Sequence, residues 1–178
     1  MNNIIKPRSF HLQWHITDKC NFNCKHCYRD NSISDLTKEQ LFLILEQYNN
    51  LVKLWNLNGK SKISLTGGEP LLRKDFFLLL NKIKEKNIGR CYLMSNGSTV
   101  TEYVAKKLKE SNIDGVQISL EGLKKNNDFI RGKGTFRKML KGTKILIKRN
   151  IPTFFSVTIT KKNINDIFGI VELAKNWR

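Results

Sequence analysis

The sequence predicts an α/β fold: a parallel sheet wound as a partial (β/α) barrel of about five strands. Three observations lead there. Five short strand-like runs alternate with amphipathic helical runs at the spacing of βαβ units. Asparagine and glycine punctuate the ends of those runs. The residues with chemical character fall just after strands, at the C-terminal ends where α/β barrels gather their sites.

Phe10, Leu12, Trp14 and Ile16 alternate with His11, Gln13 and His15, the period of two expected of a half-buried strand over 10–16. A cysteine-bearing loop follows. Thr37 with Gln40 three residues on forms a capping box, and Leu41, Ile44, Leu45, Tyr48, Leu51, Val52 and Trp55 make one apolar helix face. A second strand over 62–66 runs into Gly67 and Gly68. Asp75 is placed to cap the next helix, which reaches Asn87 and stops at Gly89. A third strand over 91–95 breaks at Asn96-Gly97 and leads to a helix from about 101 to 110. The fourth strand, 116–120, ends at Glu121-Gly122. After a longer loop, Thr135 is read as the cap of a helix to about Arg149. Residues 153–160 make a β-branched fifth strand, and 163–177 a last helix.

At 178 residues the chain has the size of one ordinary domain, taken as 1–178. No apolar run approaches the roughly 20 residues of a membrane span. Met1 to Arg8 lacks the apolar middle of a secretory signal. Four cysteines, three of them clustered, fit a reducing, cytoplasmic compartment better than a disulfide framework. The formal charge of +17 invites a nucleic-acid reading. The lysines, however, are spread over helix surfaces (Lys82, Lys84, Lys86; Lys106, Lys107, Lys109) with few aromatics between them, so solvated helix faces or an acidic partner are expected rather than nucleic acid.

The chemistry concentrates in Cys20-Asn-Phe-Asn-Cys24-Lys-His-Cys27, where a C-x3-C-x2-C loop after a strand presents three thiolates to one soft metal site. A four-iron cluster held by three cysteines keeps one iron open to a substrate or cofactor. The competing arrangement is zinc held by the three cysteines and His26. Against it, His26 directly precedes Cys27, so adjacent side chains would have to converge, and no second C-x2-C pair is present. Cys91, mid-strand and without a neighbouring cysteine, reads as a free core thiol. In Thr66-Gly-Gly-Glu-Pro70 the glycines allow close backbone approach, and a strand end offers free carbonyls.

These segments together resemble the radical S-adenosylmethionine (SAM) superfamily. The resemblance runs from Phe10 to about Thr160, and is carried by Cys20 to Tyr28, Leu65-Thr-Gly-Gly-Glu-Pro-Leu71, Ser95-Asn-Gly97, Ile118-Ser-Leu-Glu-Gly122 and Ile130-Arg-Gly-Lys-Gly-Thr-Phe136. It implies a six-strand partial barrel in which Cys20, Cys24 and Cys27 ligate a [4Fe–4S] cluster. The open iron there chelates the methionine part of SAM. One-electron reduction, from a donor such as flavodoxin or ferredoxin, then cleaves the sulfonium and gives a 5′-deoxyadenosyl radical. By the same resemblance His26 stands where an aromatic residue lies against the adenine. Gly67, Gly68 and Glu69 match the segment that receives the SAM amino group. Ser119 and Glu121 match positions contacting ribose or methionine, and Arg131 could pair with the SAM carboxylate. No catalytic acid, base or nucleophile is identified.

The Ser-Leu-Glu-Gly and Arg-Gly-Lys-Gly-Thr-Phe segments resemble the branch that modifies peptides and proteins (SPASM-type), which implies a peptide or protein substrate. The alternatives are haem-type enzymes and the first enzyme of molybdenum-cofactor synthesis, although the arginine expected before the cysteine loop of the latter is missing, and, from other classes, a zinc-stabilised basic binding module or an inactive cluster-binding remnant. No cysteine follows Cys91, so an auxiliary-cluster extension of the SPASM kind has no counterpart in these 178 residues. Only five strands fit before Arg178. The chain is therefore expected to be the N-terminal portion of a larger enzyme, or a truncated one, with an open edge on the fifth strand.

Overall fold

A computed structural model describes residues 7–29 and 35–177. Five strands, β1 (Phe10–Thr17), β2 (Ser61–Gly67), β3 (Arg90–Ser95), β4 (Gly115–Ser119) and β5 (Thr153–Ser156), form one sheet in the order β1-β2-β3-β4-β5. Every neighbouring pair is parallel. A sheet whose spatial order equals its sequence order winds in one direction, as a barrel does, and brings every strand's C-terminal end to one rim. The crossovers carry α1 (Lys38–Leu54), α2 (Phe76–Lys86), α3 (Glu102–Glu110), and the pair α4 (Lys124–Arg131) and α5 (Thr135–Lys148); α6 (Ile167–Lys175) follows β5. No helix among the described residues is long and apolar enough to cross a membrane.

The strands sort their two faces by alternation. Trp14, Ile16, Ile63, Leu65, Cys91, Leu93, Val116 and Ile118 are buried against Leu41, Leu45, Val52, Leu79, Leu80, Ile83, Leu108 and Leu146 of the helices. The opposite face carries His11, Gln13, His15, Ser64 and Thr66, with His11 Nε2 and Ser64 Oγ 2.9 Å apart across the strands. A sheet that is apolar outside and polar inside leaves its inner face for ligands.

Most element boundaries follow local signals. The Thr37–Gln40 capping box forms in both directions, with Gln40 N–H donating to Thr37 Oγ1 (3.2 Å) and Thr37 N–H to Gln40 Oε1 (2.8 Å). Four expectations change. Asp75 occupies the N-cap of α2 without a capping bond, because its carboxylate is drawn to Arg73 (Nε to Oδ1, 2.6 Å). The loop after β4 contains α4, whose sequence Lys-Lys-Asn-Asn-Asp-Phe-Ile-Arg has too few apolar residues to show a periodic face. The cap of α5 is Gly134, not Thr135; Asp128 accepts from the N–H groups of Gly134 and Phe136 (both 2.8 Å), and Thr135 is buried. The fifth strand stops at Ser156, four residues early. There Asn163, fully buried, takes Thr160 N–H on its Oδ1 (2.6 Å) and donates to the carbonyls of Glu121 (3.0 Å) and Thr158 (2.8 Å), turning the chain off the sheet.

Candidate functional site

The rim of the sheet opens into a cavity of about 180 Å³ lined by Cys20, Cys24 and Cys27 from the loop after β1, with His26 and Arg29. Thr66, Gly67 and Gly68 from the end of β2, Met94, Ser95 and Asn96 from β3, Ser119 from β4 and Arg131 from α4 complete the wall. Residues as far apart in sequence as Cys20 and Arg131 meet because the parallel strands deliver their C-terminal ends, and the loops and helix that follow them, to one rim. A larger cleft of about 660 Å³ beside β5 is lined by groups such as Ile147, Phe155, Ile170 and Trp177 and holds no titratable side chain.

The cysteine loop is irregular, so its shape must come from its surroundings. Thr17 donates its hydroxyl to Asp35 (2.9 Å), and Asp18 N–H reaches the same carboxylate (2.9 Å). The buried Arg73 guanidinium donates to the carbonyls of Ile16 (2.8 Å) and Leu36 (2.7 Å), thereby clamping both stems of the loop. Lys25 N–H bonds Ile130 O (2.9 Å), tying the loop's middle to α4.

Gly67 and Gly68 are explained by this anchoring. Gly68 N–H donates to Thr17 O (2.7 Å) and Glu69 N–H to Lys19 O (2.8 Å). A Cβ on either glycine would run into those carbonyls, and Gly67 also has φ +128°. The pair does line the cavity, but its lack of side chains is required first by the cysteine loop packed on its other side.

Glu69 does not line the cavity. It is fully buried, accepting from Ser95 Oγ (2.9 Å), Asn96 N–H (2.8 Å) and Leu71 N–H (3.4 Å), and burial pushes its carboxyl up to about 7. It binds the end of β2 to the end of β3. From there Asn96 continues to Asn21 Oδ1 (3.0 Å) and, at 4.0 Å, to Cys20 Sγ.

Glu121 is likewise buried behind the wall. Its carboxylate takes Arg131 Nη2 (2.7 Å) and Thr158 N–H (3.3 Å), with His26 Nε2 at 3.5 Å. Arg131 is thus already half engaged, yet its buried Nε has no protein acceptor. A buried donor without a protein partner calls for an ordered water or an ion as its acceptor. Cys24 sits under opposing influences: burial pushes its thiol up, and Arg131 pulls it down.

The donor set fits an iron–sulfur cluster. Phe22 N–H points at Cys20 Sγ (3.4 Å) and Arg29 Nε at Cys27 Sγ (3.3 Å), hydrogen bonds of the kind that stabilise cluster-bound thiolates. Among the described residues no three thiol, imidazole or carboxylate groups converge on a point where one metal ion could sit. Zinc in a Cys3His site requires such convergence, with ligands about 2.0–2.3 Å from one centre. A four-iron cluster does not, because each thiolate binds its own iron. Cys91 lies apart in the core, its thiol pushed by burial up to about 12.

Of the residues singled out from sequence, Cys20, Cys24, Cys27, His26, Gly67, Gly68, Ser119 and Arg131 come together on the cavity, and Glu69 and Glu121 stand behind it. Arg29, Arg73 and Asp35 were not legible. Each acts on a backbone or sulfur distant in sequence or in an irregular loop, and no local pattern marks such a role.

A profile of the radical SAM superfamily matches residues 14–174. Among curated proteins, Fe-coproporphyrin III synthase of Methanosarcina barkeri is 34% identical over 163 residues, 91% of this chain and 40% of its own length. The GTP 3′,8-cyclase of Psychromonas ingrahamii is 31% identical over 169 residues, 94% of this chain and 48% of its own. Among solved structures, native anSMEcpe with bound AdoMet and the Cp18Cys peptide superposes with a TM-score of 0.76 at 22% identity, covering 94% of this chain and 48% of that one. Streptococcus suis SuiB bound to the precursor peptide SuiA gives 0.77 at 18%, covering 96% and 37%. The chain spans about half, or less, of the length of these proteins. At such identities the two solved structures speak for the fold alone.

Proposed function

The chain belongs to the radical SAM superfamily, and on that premise we propose that it holds a [4Fe–4S] cluster through Cys20, Cys24 and Cys27 and binds SAM against it. The observation that carries this reading is the meeting of three thiols, a glycine pair and an arginine on one cavity. When bound, the cluster and SAM supply a one-electron cleavage of the sulfonium whose 5′-deoxyadenosyl product takes a hydrogen atom from substrate. The protein's residues do the positioning. Arg131, oriented by Glu121, offers its guanidinium on the cavity wall to a carboxylate. Gly67 and Gly68 hold the wall open at backbone level, and His26 offers a ring face at the rim. The electron is expected from a reduced flavodoxin or ferredoxin type of donor.

For the substrate, the expectation of a peptide gives way to a small biosynthetic precursor. The relatives at 31–34% identity are a coproporphyrin enzyme and a GTP cyclase, whereas the likeness to peptide-modifying proteins rests on fold at 18–22% identity. Of the two small-molecule types, the tetrapyrrole type agrees better with a cysteine loop that lacks a preceding arginine. The test is anaerobic reconstitution with iron and sulfide, reduction with dithionite, and measurement of 5′-deoxyadenosine from SAM. Release dependent on all three cysteines supports the proposal; a reconstituted, brown protein that leaves SAM intact ends it.

A further inference from the structure

Phe129 lies on the exposed side of α4, 45% accessible, with two ammonium groups over its ring: Lys25 Nζ at 3.4 Å and Lys162 Nζ at 3.5 Å from the centroid. Two cations at those heights on one face would nearly coincide, so they occupy opposite faces. The ring's electron-rich faces hold both ammonium groups in place, and its electropositive edge lies between them.

The three residues come from separate elements, each fixed. Lys25 sits in the cysteine loop, whose backbone N–H at that residue bonds Ile130 O (2.9 Å). Lys162 sits in the turn after β5 that buried Asn163 pins to Thr160 and Glu121. Phe129 is on α4, one turn after Lys125 on the same face.

Nearby carboxylates are turned away from this cluster. Glu121 is spent on Arg131, Asp128 on the N–H groups of Gly134 and Phe136, and Asp166 on Leu123 N–H (2.7 Å) and Asn126 (2.9 Å). Among the described residues neither Lys25 nor Lys162 has an ion-pair partner, whereas lysines of α2, α3 and α6 pair with Glu85, Glu110 and Glu172. Among the described residues, positive charge is concentrated at one spot with no ion-pair partner. That spot is one residue from Cys24 and two from Arg131, both of which line the cavity.

We propose that Lys25, Phe129 and Lys162 form an anion clamp beside the segments that line the cavity, which takes a small molecule bearing two or more phosphate or carboxylate groups. Because Lys25 adjoins Cys24 in the chain and Phe129 lies two residues from Arg131, a molecule held by its charged end is brought next to segments that line the cavity. The idea deepens the reading of that cavity as the reaction site and rests on it, but the clamp is tested by binding alone.

The full chain is titrated calorimetrically with inorganic tripolyphosphate and with benzene-1,3,5-tricarboxylate, at low and physiological salt. The wild type is expected to bind at least one of them, and the one bound identifies the anion's source. Lys25→Gln and Lys162→Gln should each weaken binding about tenfold, and Phe129→Leu should weaken it with both lysines present. Lys82→Gln, on the far helix α2, should leave it unchanged. Equal loss with Lys82→Gln means general charge attraction, and overturns the clamp. So does full affinity in the Lys25→Gln/Lys162→Gln double variant, or failure of both probes to bind the wild type. All these substitutions are at exposed positions, and a matching thermal midpoint confirms that folding is kept. Release of 5′-deoxyadenosine is followed in parallel. If it persists while the clamp fails, only this inference falls; if it is absent while the clamp binds, only the reading of the reaction does.

Discussion

Glu69 makes stability depend on pH in a direction opposite to that of most carboxylates. Burial raises its pKa from the ordinary 4.5 to about 7, against the hydrogen bonds from Asn96 N–H and Ser95 Oγ, which favour the charged form. The folded protein therefore binds the Glu69 proton more tightly than the unfolded chain does. The stability this carries is fully present below about pH 4.5 and is lost as pH rises through about 7. At about 1.4 kcal/mol per pKa unit, the loss between roughly pH 5 and pH 8 is about 2–3 kcal/mol. Glu69→Gln cannot titrate; its single carbonyl can keep the Ser95 bond while its amide nitrogen faces Asn96 N–H less favourably. The variant is expected to be less stable than wild type at low pH and to close the gap by about 2–3 kcal/mol at high pH. Urea unfolding of both proteins across this range gives the difference curve directly, with other titrations cancelling. A flat difference, or one that widens as pH rises, would refute the claim that this carboxylate pays a burial cost at the join between β2 and β3.

Three further outcomes follow from the site's construction. Gly68→Ala pushes a methyl group into the Lys19 carbonyl and should cost more than about 2 kcal/mol in urea unfolding, while a loss under about 0.5 would mean the two strand ends are not held together. Arg131→Met leaves buried Glu121 without its guanidinium partner, a loss of about 3–5 kcal/mol, and adding Glu121→Gln should restore more than about 1 kcal/mol of it; strictly additive losses in this double-mutant cycle would show that the pair is not coupled. Alanine at Cys20, Cys24 or Cys27 should reduce bound iron severely after reconstitution, whereas Cys91→Ala should not, since its thiol is sealed in the core. Iron retained at wild-type levels in the first three variants contradicts cluster ligation by this loop.

Much of the architecture was legible because it is written in local patterns. The alternation in Phe10 to Ile16, the Thr37–Gln40 box and the glycines after β2 each act within a few residues and fold as they read. Helix α4 escaped notice because a short, charged helix owes its place to partners rather than to an apolar stripe: Asn127 reaches Glu121 N–H (3.1 Å) and Thr135 (3.1 Å), and Asp128 caps the next helix. Within the site, the three cysteines could be named from their spacing. The inward turn of Glu69, the half-engaged Arg131 and the lysines flanking Phe129 could not.

Sequence by itself thus settled the five strands, most of the helices between them, the direction of the sheet and the identity of the thiol ligand candidates, since hydrophobic period, caps and ligand spacing are short-range quantities. Tertiary structure alone decided which polar groups face the cavity and which are consumed behind it. Burial, hydrogen-bond satisfaction and charge compensation depend on groups brought together from strands tens of residues apart, and a parallel sheet delivers all of those groups to the same rim.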